Sequence, residues 1–174
     1  MITIRPVALD DAETLADLRT DSREHLAPWE PDRGEAFFTA EGQREAIAVA
    51  LDRDAAGIGR SYVIADDGRP VGGLVFNSIL RGPYFSSCSL GYWVARAETG
   101  RGVATAAVGL AKRVAFEELE LRRVQAETLV HNLASQKVLE RNGFEPVGLA
   151  PAYLKIAGTW QDHLLFQALD PARD

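Results

Sequence analysis

Polar and apolar positions alternate over Thr3-Ile4-Arg5-Pro6-Val7, and this two-residue period predicts a short first strand. Ala12, Leu15, Ala16 and Leu18 then recur at helical spacing behind Asp10 and Asp11, which predicts a helix capped by the aspartates and running to about Ser22. His25 to Pro31 is broken by Pro28 and Pro31 and reads as a loop or distorted turn. Thr39 opens a second helix with Ile47, Ala48 and Leu51 at helical spacing, and Gly57-Ile58-Gly59 releases it. Ser61 to Ala65 and Val71 to Leu80 are apolar runs flanking Asp66-Asp67-Gly68-Arg69, the signature of a hairpin. A turn around Arg81-Gly82-Pro83 leads into a further strand, Ser87 to Val94.

From that point the period changes. Val103, Ala107, Leu110, Ala111 and Val114 share one face of a helix predicted from Gly102 to about Glu118. Val124 to Val130 is a strand and Leu133 to Asn142 a helix. Two closing strands span roughly Pro146 to Ile156 and Thr159 to Ala168, joined at Ala157-Gly158. Antiparallel strands followed by strand-helix-strand-helix-strand predict an α/β fold on a mixed sheet. With 174 residues and no repeat, linker or low-complexity segment, the chain reads as one domain, 1–174.

The densest chemical signal lies where the strand Leu90-Gly91-Tyr92-Trp93-Val94 gives way to a loop and then to a helix. Gly100 and Gly102 lack a Cβ, so the backbone can approach a ligand closely. Arg101, Val103, Ala104 and Thr105 supply unpaired N–H groups of a first helical turn, where the helix dipole adds about half a positive charge. The expected ligand therefore carries a phosphate or pyrophosphate. No Lys follows the glycines as a Walker loop requires, and Thr105 stands where a dinucleotide fingerprint needs a third glycine. A second motif follows about thirty residues on. Asn132 ends a strand and caps the next helix, with Ser135 in its first turn. Gly143 ends that helix as a left-handed stop and Phe144 packs back on it.

Thr99-Gly100-Arg101-Gly102-Val103-Ala104 resembles the acyl-CoA loop of the Gcn5-related N-acetyltransferases (GNAT), Gln/Arg-x-x-Gly-x-Gly/Ala, with Thr99 departing from the first position. Asn132-Leu133-Ala134-Ser135, followed by Asn142-Gly143-Phe144, resembles the second signature of that superfamily. The resemblance covers nearly the whole chain. It implies a mixed six- to seven-stranded sheet flanked by about four helices, and acetyl-CoA as the cofactor. Pro28-Trp29-Glu30-Pro31, Phe76-Asn77, Arg81-Gly82, Leu90-Gly91-Tyr92 and Gly158-x-Trp160-x-Asp162-His163 resemble the RimJ/RimL branch. That branch acetylates the N-terminal α-amine of ribosomal proteins, and the RimJ side, specific for an N-terminal alanine, looks nearer.

On that resemblance an amine attacks the thioester of acetyl-CoA directly. Tyr92, Trp93 and Val94 pair with the pantetheine arm, and the Val94 N–H faces the thioester oxygen. Thr99 to Thr105 cradle the pyrophosphate. Asn132 contacts the cofactor arm, and Ser135 lies near its sulfur, able to protonate the departing thiolate. Many relatives carry a carboxylate two residues before the Gly-Tyr pair; Ser89 stands there, leaving Glu127 and Glu30 as candidate general bases. A strong base is not essential for an α-amine, whose pKa of about 7.7–8.0 leaves about a tenth of it neutral at pH 7. A lysine amine, near about 10.4, is neutral in only about one molecule in a few thousand. Trp29, Glu30, Phe37, Phe38, Asn77, Tyr84, Phe85 and Tyr153 are candidates to line the acceptor cleft, with Trp29 foremost because a tryptophan between two prolines is poorly placed for an ordinary core.

Composition narrows the picture further. The chain carries a net charge of −6, yet residues 96–141 hold eight Lys/Arg against six Asp/Glu. A basic segment in an acidic chain suits an anionic cofactor on one side and a cationic acceptor on the other, and argues against nucleic acid as the principal partner. No apolar run reaches the roughly 18 residues of a membrane span and no charged-then-apolar leader is seen, so a cytoplasmic protein is expected. Cys88, the sole cysteine, cannot form an internal disulfide and reads as a buried small hydrophobe. His25, His131 and His163 are too scattered for a metal site. Two further readings stand beside the protein acceptor: a small amine such as an antibiotic, polyamine or amino acid, and a CoA-binding module without catalysis. Relatives occur as monomers and homodimers.

Overall fold

The computed structural model describes residues 1–172. It contains β1 (Ile2–Pro6), β2 (Arg60–Asp66), β3 (Arg69–Arg81), β4 (Ser86–Val94), β5 (Arg123–Leu129), β6 (Glu145–Ile156) and β7 (Thr159–Leu169). These form one sheet in the order β1-β2-β3-β4-β5-β7-β6, antiparallel except at β4–β5, which is parallel. Five α-helices flank it among the described residues: α1 (Ala12–Asp21), α2 (Arg23–Leu26), α3 (Ala40–Ala55), α4 (Val103–Arg113) and α5 (Leu133–Arg141).

The alternation of β2 shows how the sheet is sandwiched. Val63 packs with Val7, Ala12, Leu15 and Ile47 under α1 and α3, whereas its neighbour Ile64 joins the larger cluster under α4 and α5 with Phe76, Leu90, Ala107, Val124 and Phe166. Both are fully buried, so this strand is apolar throughout its middle, as a strand covered on both faces must be. Cys88 lies in the larger cluster at 1% exposure, and burial pushes its thiol up to about 12.

Several local features depart from the periodicity, each for a physical reason. The His25–Pro31 stretch is helical over most of its length: α2 runs straight into a 3-10 turn at Ala27–Trp29, where Pro28 occupies the first turn and its missing N–H is no loss. Asp11 does not cap α1 with its side chain. Its carboxylate instead accepts from the Ala8 N–H at 2.8 Å and takes both Arg5 guanidinium nitrogens at 2.8 and 2.6 Å, tying the end of β1 to the helix entry. In α3, Thr39 caps as expected by accepting from the Gly42 N–H, but Ala48 and Leu51 face solvent while Gln43 and Ile47 turn inward. Gln43 is tolerated there because its amide donates to the Phe37 carbonyl. Beyond α4 the turn 114–118 widens, with Leu119 N–H reaching back to the Val114 carbonyl, and so carries the helix to its expected end.

Candidate active site

β4 and β5 are paired only at Ser87–Arg123, Cys88–Val124 and Ser89–Gln125. Beyond Ser89 the two strands diverge, and a cavity of about 980 Å³ runs through the opening. On its other side β4 stays paired to β3, and the Ala95 N–H donates to the Val71 carbonyl at 2.8 Å. Strand alternation then turns the Tyr92 and Val94 backbone groups away from β3 and into the gap. Parallel strands forced apart in mid-sheet leave such groups with no protein partner, and a ligand arm running along β4 is what would satisfy them.

One end of the cavity is the loop after β4. Thr99, Gly100, Gly102, Val103, Ala104 and Thr105 line it. Gly100 and Gly102 hold φ of +76° and +78°, and a Cβ at either would meet nothing within 4 Å, so the glycines serve the backbone shape of an open cradle. No side chain caps α4, so the first-turn N–H groups of Val103, Ala104 and Thr105 are left for a bound anion. Thr99 spends its hydroxyl on the Arg96 carbonyl at 2.9 Å. The Arg101 side chain points out of the cradle to Glu98 and Asp66, so only its backbone serves the loop.

The α5 side of the gap carries hydroxyls. Asn132 Oδ1 accepts from the Ser135 N–H at 3.1 Å, which fixes the first turn of α5. The Ser135 Oγ lies 2.7 Å from the Tyr92 hydroxyl, whose pKa burial raises to about 12 although the Ser135 contact works the other way. Thr128, on β5, is 3% exposed and lines the same cavity, and its Oγ has no partner within the protein. Leaving a buried hydroxyl unmatched costs about 1–3 kcal/mol, so this atom marks a place where a polar ligand group belongs. The open cradle, the unpaired β4 backbone and the orphaned hydroxyl together fit a long, polar, phosphate-ended molecule such as acetyl-CoA.

The opposite face of the sheet carries ionisable groups. Ser89 Oγ lies 2.9 and 3.1 Å from the Glu127 carboxylate oxygens. Burial pushes the Glu127 carboxyl above its usual range, opposed by the Ser89 hydrogen bond and by His163. His163, 3% exposed, donates from Nδ1 to the Gln161 carbonyl at 2.9 Å and lines the main cavity.

A strap, residues 27–33, roofs this end. Trp29 packs on the His131 ring at 5.4 Å between centroids, and the Glu30 carbonyl accepts from the Ala157 N–H of the β6–β7 turn. Arg19 holds the strap from below. Its guanidinium lies 3.7 Å from the centre of the Trp93 ring and 2.6 Å from Glu30 Oε1. Asn77 lines the cavity while accepting from Arg53, and Phe37 lines it too.

The candidates are thus not all brought together. Tyr84 and Phe85 stand on the β3–β4 turn, 90% and 66% exposed, and Tyr153 borders a smaller neighbouring cavity next to His163. Arg19, His163 as a cleft group, Thr128 and the Tyr92 hydroxyl were not singled out by the motifs. Arg19 did leave a trace: it falls four residues after Leu15 on the apolar face of α1, where an unpaired arginine would not be tolerated.

Comparison with known proteins agrees with this geometry. Residues 1–145 match the family model described as an acetyltransferase (GNAT) domain. The probable N-acetyltransferase YjcK of Bacillus subtilis is 34% identical over 98% of this chain and 94% of its own length. The ribosomal protein uS5-alanine N-acetyltransferase of Escherichia coli is 31% identical over 98% of this chain and 88% of its own. Mycobacterium smegmatis RimJ, solved in complex with CoA-disulfide, superposes with a TM-score of 0.95 at 32% identity, covering 98% of this chain and 83% of that one.

Proposed function

The chain belongs to the GNAT acetyltransferase family and is an N-acetyltransferase that uses acetyl-CoA, and from this premise we propose that its acceptor is the N-terminal α-amine of a ribosomal protein, modified in the cytoplasm by the single domain 1–174. The observation that carries the reading is the divergence of β4 from β5 beyond Ser89, with Ser135 on one face of the gap and Glu127 on the other. Ser89 and Tyr92 are three residues apart on one strand and so face opposite sides of the sheet, one toward each group. A proton taken from nitrogen on one side and a proton given to sulfur on the other is what amide formation from a thioester requires.

Gly100, Gly102 and the N–H groups of Val103–Thr105 are read as the pyrophosphate cradle, the Tyr92 and Val94 backbone as the track for the pantetheine arm, and Trp93 as the support beneath it. Bound acetyl-CoA supplies an activated acetyl thioester. The Val94 N–H is assigned to the acetyl carbonyl oxygen, where negative charge develops. Asn132 holds the first turn of α5 so that Ser135 Oγ can hand a proton to the leaving sulfur, with the Tyr92 hydroxyl behind it. Glu127 is assigned as the group that takes the proton from the acceptor ammonium; Glu30, already bound to Arg19, is given the role of holding the strap and Trp29 over the acceptor. Asn77 lines the acceptor side. A carboxylate of raised pKa remains a modest base, adequate for an α-amine with pKa about 7.7–8.0 and poorly matched to a lysine near about 10.4.

The test is thiol release from acetyl-CoA with an alanine-starting ribosomal peptide and with its N-terminally blocked twin. Release with the free peptide alone supports the reading. Release with both places the acceptor on a side chain, and turnover only with small amines moves it to that class.

A further inference from the structure

The face of the sheet that carries Glu127 holds a second, smaller cavity of about 180 Å³. Ser78, Ser87, Ser89, Gln125, Glu127 and Tyr153 supply its polar lining. Ser89 and Glu127 border the main cavity as well, so this hydrogen-bonded pair is the wall between the two. The outer end is at the surface, where Ser78 is exposed and Leu80 and Tyr153 are 48% and 42% exposed. A half-buried carboxylate therefore faces the acceptor on one side and a hydroxyl-lined passage to solvent on the other. Such a passage is polar and roomy enough for water, each molecule finding several hydrogen-bond partners.

We infer that this side cavity is the proton exit of the reaction: Glu127 receives a proton from the acceptor ammonium in the main cleft and releases it to water held among Ser78, Ser87, Ser89 and Gln125. The inference rests on the assignment of Glu127 as the proton acceptor. The balance of the reaction requires an exit. As the new N–C bond forms and the C–S bond breaks, the acceptor nitrogen sheds two protons and the departing sulfur takes one from Ser135; one nitrogen proton reloads the Ser135–Tyr92 pair and the other must reach solvent. The strap 27–33, tied to the β6–β7 turn through the Glu30 carbonyl, lines the main cleft, whereas the side cavity lies on the other side of the Ser89–Glu127 pair. The other titratable groups facing Glu127 are His163 from β7, on the main cavity, and Tyr153 from β6, on the passage. Ser89 keeps the carboxylate turned toward it.

Filling the passage separates this role from simple substrate binding. In the full chain, Ser87→Val and, from the neighbouring strand, Gln125→Leu each block part of the cavity without touching Glu127. The expected result is that kcat falls about tenfold, within the range of general-base effects, with KM for acetyl-CoA and for the peptide unchanged. Added imidazole, small enough to carry protons, restores kcat in these variants and leaves the natural chain unaffected. Unchanged kcat in both variants overturns the exit, and so does a rise in peptide KM alone, which would make the cavity a seat for the acceptor. Glu127→Gln distinguishes the two layers: if it is inactive while both blocked variants turn over normally, the base stands and the exit falls. If Glu127→Gln is fully active, the base assignment fails and the exit falls with it.

Discussion

Ser89 Oγ sits 2.9 Å from Glu127 Oε2 and 3.1 Å from Oε1, joining β4 to β5 at the last β4 residue where the two strands are still paired. The carboxylate comes from across the gap, and the serine holds it. The two side chains reach the same point in space from neighbouring strands, so β5 supplies a carboxylate and β4 the hydroxyl that holds it.

Replacing Glu127 by Gln removes a charge that burial disfavours. A carboxyl whose folded pKa lies above its unfolded value binds more protons in the fold, so stability declines as pH rises between the two and remains lower above them. Glu127→Gln is therefore expected to raise the melting temperature at neutral pH while lowering kcat about a hundredfold. The rise of kcat with pH through the Glu127 titration should vanish in the variant. Thermal melts and a pH–rate profile of the two proteins check both halves.

Ser135→Ala and Tyr92→Phe should each lower kcat about tenfold, and the double variant should lose little more than the worse single, because the two hydroxyls act in series at 2.7 Å. Fully multiplicative losses would mean that they act separately. Acetyl-CoA affinity, measured by tryptophan quenching, is expected to stay within a few-fold throughout.

Gly102→Val forces a β-branched residue to φ near +78° at a site where a Cβ meets no neighbour. The stability loss is then backbone strain alone, about 1–2 kcal/mol. The added side chain also enters the cradle, so the Kd for CoA is expected to rise at least tenfold by calorimetry, far beyond what that loss of stability explains.

Arg19→Met strips the partner from Glu30, whose carboxylate is only 20% exposed, and removes the cation resting on Trp93. Breaking a buried pair from one side should cost about 3 kcal/mol, and adding Glu30→Gln should recover part of it. Peptide KM should rise in the single variant as the strap loosens, with acetyl-CoA KM unchanged. Denaturant melts of both singles and the double close the cycle.

Local chemistry made much of this protein legible before folding. The hairpin at Asp66–Arg69, the Thr39 cap, the αL stop at Gly143 and the Asn132 cap are decided within a few residues, and each appears where the pattern put it. The glycine cradle was readable for the same reason: a strand, two positive-φ glycines and an uncapped helix start are contiguous in the chain. The α2 region misled because prolines forbid a helix interior but suit a first turn, and local sequence does not tell which turn a proline occupies.

The chain's own order thus determined the mixed sheet, its elements and the glycine cradle, all of which depend on periodicity and backbone conformation over short spans. Only the tertiary structure decided which side chains meet across the gap between β4 and β5. Ser89 and Glu127 are 38 residues apart, Tyr92 and Ser135 43 apart, and Arg19 meets Trp93 across most of the fold. Which of several carboxylates is buried, which is spent on an arginine and which faces a cleft is set by strand register and by the point where β4 leaves β5. Those are properties of non-local pairing, and no local pattern encodes them.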